Sequence, residues 1–203
     1  MAVPNRPLAR SFYARPSLAV ARAILGRDLV RRLDDGATLR ARIVEAEAYR
    51  EDDPASHSYR GRTARTGVMF GSPGCLYVYV SYGMHACMNV VTGRDGEGSA
   101  VLLRAAEPLE GVEHMRTLRG LTDPRLLCAG PGRLCQALAI TRGHDGLDLM
   151  DGAELWIERG RPVSDADVVV GPRVGIAAAA EQPWRFSIRG SRYVSRGPVR
   201  LPK

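Results

Sequence analysis

The spacing of apolar and polar positions changes several times along the chain, and each change marks an element. Residues 1–15 read as an irregular arm carrying Arg6, Arg10 and Arg15. Residues 16–25 open on a proline and stop at Gly26, which predicts a first helix. The β-prone runs DLVRRL and ATLRARIVEAEAY flank Asp34-Asp35-Gly36, and an Asp-Gly turn between such runs predicts a hairpin. Residues 50–74 are polar and rich in Gly, Pro and Arg, so they predict a long loop of the kind that often carries function. A second hairpin is predicted from CLYVYVS, the turn Tyr82-Gly83-Met84 and HACMNVV. After the Gly-rich turn at 93–98 comes the strand SAVLLRAA. Helices are expected around 107–119 and 132–140, and AELWIE, DVVV, RFSI and RYVS read as short strands. The succession predicts an α/β fold of the α+β type. It would be a single compact domain over 1–203, with a largely antiparallel curved sheet, flanking helices and a protruding β-hairpin.

Two strands carry polar groups where a core strand would not. In ARIVEAEAY, alternation puts Ile43, Glu45, Glu47 and Tyr49 on one face, and Arg42, Val44, Ala46 and Ala48 on the other. The first face is either solvated or a carboxylate general base set beside an aromatic ring. In the second hairpin Tyr77 and Tyr79 share a face opposite Val78 and Val80. Tyr82 falls at the tip, as an exposed turn aromatic or as a wedge that enters a DNA stack and fills the gap of an extruded nucleotide. Asn89 sits inside a strand, where asparagine is disfavoured, and so needs a hydrogen-bonding reason. Arg104 interrupts the apolar run AVLLRAA. A buried arginine needs acceptors, which Glu47 or Glu45 could supply, and the pair would keep the carboxylate ionised. His57, in the polar loop, is a surface histidine or completes an aromatic cage with Tyr49 and Tyr79, a setting suited to flat cationic ligands.

Composition narrows the classes of partner. The net charge is +7, and Lys203 is the one lysine among 29 basic residues. Such a balance favours a polyanion, and arginine forks suit phosphate oxygens. Arg62, Thr63 and Arg65 in the polar loop, and Gly132 at the start of a helix, are candidates for backbone phosphates. No stretch of about 18 apolar residues occurs, so no membrane span is expected. The N-terminal residues lack a signal peptide's apolar run, so the expected location is cytoplasmic. Cys75, Cys87, Cys128 and Cys135 form no metal-binding spacing, so no metal is expected and the thiols are read as reduced and mostly buried. The chain has no G-x-G-x-x-G, G-x-S-x-G or P-loop, which argues against dinucleotide, α/β-hydrolase and nucleotide-phosphate chemistry.

At these residues the chain closely resembles the alkyladenine (3-methyladenine, or methylpurine) DNA glycosylase family. The resemblance rests on RIVEAEAY, the SHS loop, GVMF, CLYVYVSYGMHACMNV, VLLRAAEPLEG, GPGRLCQALAI, RVGI and WRFSIRG, which extend from about residue 10 to 195. It implies hydrolysis of the N-glycosidic bond of damaged purines in double-stranded DNA, without metal or other cofactor, by a monomer. It implies that Glu47 activates water, which Arg104 and the backbone carbonyl of Val174 would hold. It places Tyr49, His57 and Tyr79 around the flipped base, makes Tyr82 the intercalating residue flanked by Met84, and gives Asn89 the exclusion of guanine. His85 and Ala86 depart from the bulkier aromatics of the family at those positions, which bears on substrate range.

A strand-cleaving lyase step needs an amine nucleophile, and a single lysine at the last position argues against one. The expectation is a monofunctional glycosylase that leaves an abasic site. The alternative is a non-catalytic nucleic-acid-binding module resembling the C-terminal domain of methionyl-tRNA formyltransferases. Glu47 and Arg104 discriminate against it, because a binding module has no use for a water-activating carboxylate.

Overall fold

A computed structural model describes residues 6–195. Eight strands form one antiparallel, curled sheet: β1 (Asp28–Arg32), β2 (Thr38–Tyr49), β3 (Leu76–Ser81), β4 (His85–Val91), β5 (Ala100–Glu110), β6 (Leu155–Glu158), β7 (Val168–Gly171) and β8 (Arg185–Ile188). Five helices accompany it: α1 (Arg10–Tyr13), α2 (Ser17–Ala23), α3 (Val112–Arg119), α4 (Pro124–Leu127) and α5 (Pro131–Ala137). The main path runs β3-β4-β5-β2-β1-β6, and β8 joins β2 to β7.

The longest strand, β2, organises the molecule. β5 pairs with it along most of its length, while its other edge is shared. Residues 38–42 pair with β1 and residues 45–47 with β8. The handover is a bulge. Ile43 faces Ala106 and Glu45 faces Ala105, which leaves Val44 unmatched on β2. Glu45 to Ala46 then skips from Ala105 to Leu103, which leaves Arg104 unmatched on β5. An inserted residue shifts the side-chain period by one. Ile43 therefore joins Ala46 and Ala48 in the apolar core, and does not share the face of Glu45 and Glu47 as simple alternation predicts.

Several expected elements hold. The first helix forms, and both hairpins form with the expected strands. Other expectations are corrected. Of the expected irregular arm, residues 1–5 lie outside the described residues, and residues 6–15 are docked: α1 buries Tyr13 completely, and Arg10 pairs with Asp148 at 2.5 Å. The helix expected at 107–119 begins only at Val112. β5 continues through Pro108 to Glu110, and Gly111, at φ 69°, makes the break. RYVS is not a strand, because the Ser195 amide is turned inward onto the Glu45 carboxylate at 2.6 Å. The loop at 50–74 contains a 3-10 turn, Gly67–Phe70, whose Met69 and Phe70 pack on Tyr77.

The core lies between the sheet and the helices. Leu103, Met88, Ile43 and Leu76 are among its fully buried side chains. Burial of one such side chain contributes roughly 1.5–3 kcal/mol. Among the described residues no helix is long and apolar enough to cross a membrane. Cys87, Cys128 and Cys135 are buried free thiols and Cys75 is half-buried.

Candidate active site

The β2 bulge turns Glu45 and Glu47 to the same side as Arg104, the residue left unmatched on β5. Both carboxylates are fully buried. Arg104 lies 3.2 Å from Glu47 through Nη1 and 3.4 Å from Glu45 through Nε. Arg185 of β8 adds a second cation, 3.2 Å from Glu45. Two buried anions thus face two guanidiniums, which avoids the penalty of an unpaired buried charge. The expectation that Arg104 needs a buried acceptor is met by both candidates.

The two carboxylates differ in what else they accept. Glu45 takes the Ser195 amide. Glu47 Oε1 accepts the Val174 amide at 2.7 Å, and Oε2 accepts the Tyr49 hydroxyl at 3.0 Å. A carboxylate offers about four lone-pair positions, so three donors leave Glu47 room for about one more. Sequence reasoning assigns the Val174 carbonyl to the site; here it is the Val174 amide that touches Glu47. Burial pushes the Glu47 carboxyl above its ordinary value, against Arg104, the Val174 amide and the Tyr49 hydroxyl, which pull it down.

Beside Glu47 the ring of Tyr49 lines a cavity of about 210 Å³, together with His57, Tyr77, Tyr79, Asn89 and Met69. The structure thus gathers all four sequence-predicted pocket residues. His57 and Tyr79 meet edge to face, with centroids 4.5 Å apart, and Tyr77 stacks on Tyr79 at 5.8 Å. His57 Nδ1 lies 2.9 Å from the Tyr77 hydroxyl. Burial and the nearby Arg65 push His57 below its ordinary value, so its ring is neutral at physiological pH. Asn89 donates to the Tyr77 carbonyl at 3.2 Å, which supplies the hydrogen bond its place in a strand requires. Tyr77 and Met69 are among the lining residues that sequence reasoning did not assign. Tyr77 alternates with the core Val78 like Tyr79, so the signal was present in the pattern.

The tip of the β3–β4 hairpin stands clear of the body. Tyr82 is 90 % exposed and Met84 is 75 % exposed. Tyr82 has φ 51° and Gly83 φ 73°, so the chain reverses through two left-handed residues. From Tyr82 a groove of about 680 Å³ passes Arg104 to Arg119, Arg133 and Gly132. Arg62, Thr63 and Arg65 are exposed on the polar loop. Of these, Thr63 is engaged locally, its amide donating to Thr66 Oγ1 at 2.9 Å.

Known proteins resemble this chain over most of its length. The family model described as methylpurine-DNA glycosylase matches residues 11–192. A protein of Rhodopseudomonas palustris (strain HaA2), named "Putative 3-methyladenine DNA glycosylase", is 51% identical over 93% of this chain and 90% of its own length. Proteins of the same name from Carboxydothermus hydrogenoformans and Methanoculleus marisnigri are each 49% identical over 93% of this chain and 98% of their own lengths.

Proposed function

The chain belongs to the methylpurine-DNA glycosylase family, is therefore a DNA glycosylase, a hydrolase of N-glycosyl bonds, and from that premise we propose that it excises alkylated or deaminated purines by Glu47-activated water. The observation that carries the reading is a fully buried carboxylate, held by Arg104 and the Val174 amide, hydrogen-bonded to a tyrosine whose ring lines an aromatic cavity.

The target is double-stranded DNA holding a damaged purine. Its nucleotide leaves the stack at a cost of a few kcal/mol, least where pairing is weak. Tyr82, flanked by Met84, occupies the gap. The base enters between Tyr49, His57 and Tyr79, whose π faces favour the cationic rings of 3-methyladenine and 7-methylguanine. Asn89 disfavours an undamaged guanine. Glu47 takes a proton from water, the water oxygen bonds to C1′, and the C1′–N bond breaks with its electron pair going to the base. A cationic base departs neutral, a neutral base such as hypoxanthine must also gain a proton as it leaves, and an abasic site remains. Arg104 holds Glu47, and the water, in place. Arg62, Thr63, Arg65 and Gly132 are the residues proposed to contact phosphates of the bound duplex. No amine enters the scheme, so the reaction is monofunctional; the enzyme is further proposed to act as a monomer without cofactor.

The test is release of free base from duplexes carrying 3-methyladenine, hypoxanthine or ethenoadenine. Glu47→Gln should abolish release while duplex binding survives. Substantial turnover by that variant would overturn the assignment, and a covalent adduct trapped with borohydride would overturn monofunctionality.

A further inference from the structure

Behind the Glu47 site lies a charged pair that the scheme above does not use. Arg173 and Asp53 are 120 residues apart and both side chains are fully buried. The pair is bidentate: Nη2 donates to Asp53 Oδ1 at 3.0 Å and Nη1 donates to Oδ2. Nη1 also donates to the Ala48 carbonyl of β2 at 3.1 Å. The guanidinium lies between two rings, 4.6 Å from the centroid of Tyr49 and 4.9 Å from that of Trp184.

Two groups touched by this guanidinium, Tyr49 and Asp53, lead to the site, and so does its chain neighbour Val174. Val174, the next residue, supplies the amide on Glu47 Oε1. Tyr49 gives its hydroxyl to Glu47 Oε2 and its ring to the cavity. Asp53 Oδ1 accepts the Ala55 amide at 3.0 Å, and the Asp53 carbonyl accepts the Ser56 amide at 2.8 Å, so Asp53 fixes the turn that presents His57. One planar cation thus ties together Tyr49 of the cavity lining, the loop bearing His57 of the same lining and a donor to the general base.

We propose that Arg173, clamped by Asp53 between Tyr49 and Trp184, is a positioning residue that sets both the Val174 contact on Glu47 and the spacing of Tyr49 and His57 across the base slot. The proposal rests on the reading of Glu47 as the base. The fork and the flat stack are properties of arginine that lysine lacks, although lysine keeps the charge. A small loss of alignment at a reacting centre can lower a rate about 10²-fold.

The consequence for pH follows from what surrounds Glu47. Arg104 on β5, Tyr49 and Glu45 on β2, Tyr79 on β3, Arg185 on β8 by way of Glu45, and the Val174 amide all bear on it. Losing the Val174 hydrogen bond removes one influence that holds the carboxyl down. The acid limb of activity then moves to higher pH.

Single-turnover release of 3-methyladenine from a duplex, followed across pH for wild type, Glu47→Gln, Arg173→Lys, Asp53→Asn and Trp184→Phe, is the test. The expectation for Arg173→Lys is a fall of roughly 10–100-fold at saturating enzyme, an acid limb at higher pH and duplex affinity within about twofold. Asp53→Asn can still accept the Ala55 amide, and should show a smaller change of the same kind. Trp184→Phe keeps a ring on the guanidinium and should retain most of the rate. Wild-type rate and pH profile in folded Arg173→Lys, with Glu47→Gln inactive, would overturn the proposal and leave the Glu47 reading standing. Turnover by Glu47→Gln would remove that reading instead. If Arg173→Lys and Asp53→Asn both fail to fold, or if their only change is a lower melting temperature at an unshifted pH profile, Arg173 is a structural ion pair and the proposal is overturned.

Discussion

At the scale of single residues, the site turns on a balance at Glu47. A general base must be ionised, so activity is lost as the pH falls through its pKa. Burial raises that pKa and Arg104 lowers it. The acid limb should therefore lie above the ordinary carboxylate range. Arg104→Gln removes the largest opposing influence, so the limb should move further up and activity at mildly acid pH should fall first. A pH–rate profile of base release checks this, and an unmoved limb would refute it. The same substitution leaves Arg185 as the remaining cation beside two buried carboxylates, and should cost about 3–5 kcal/mol of stability, read by denaturant unfolding. The residues themselves were legible in the chain. Glu47, Tyr49 and Arg104 stand out as polar interruptions of apolar strands. Asp53 and Arg173 do not, because neither lies in a strand whose alternation would single it out, and only the fold brings them together.

At the scale of elements, the β3–β4 hairpin and the β2 bulge divide the work. The hairpin follows its sequence closely: alternation gives Val78 to the core and Tyr77 and Tyr79 to the cavity. Its tip presents Tyr82 with almost no contact to the body, so Tyr82→Ala should alter stability by less than about 0.5 kcal/mol. Excision should nevertheless fall, and fall more in a well-paired duplex than opposite a mismatch, because the wedge offsets the cost of unpairing. Equal losses on both duplexes would refute the wedge role. Gly83 is different: a Cβ there meets nothing within 4 Å, yet φ is 73°. Gly83→Ala should cost about 1–2 kcal/mol from backbone strain alone, measured by thermal unfolding. The bulge was not legible. Residues 38–49 alternate well enough to predict a strand, but the break in period at Val44 depends on β5 and β8 meeting β2 in different registers.

At the scale of the whole molecule, the net charge of +7 sets long-range behaviour and the sheet sets the site. Arg62 and Arg65 are exposed on the polar loop, and the groove that begins at Tyr82 runs past Arg119 and Arg133. Duplex affinity should fall steeply with salt, and Arg65→Ala should reduce the slope of log affinity against log salt by about 1. Fluorescence anisotropy on an undamaged duplex measures both, and an unchanged slope would remove Arg65 from the phosphate contacts. The sequence by itself determined the α/β composition of elements, the two hairpins, the family and the Tyr49, His57, Tyr79 and Asn89 lining of the cavity. Those depend on local periodicity, turn chemistry and residue type. The tertiary structure decided which face of β2 carries the carboxylates, that the Val174 amide donates to Glu47, that residues 192–195 turn inward instead of pairing, and that Asp53 grips Arg173. Each of these depends on strand register or on contacts between segments far apart in the chain, and a pattern along one strand holds no record of the neighbour it will meet.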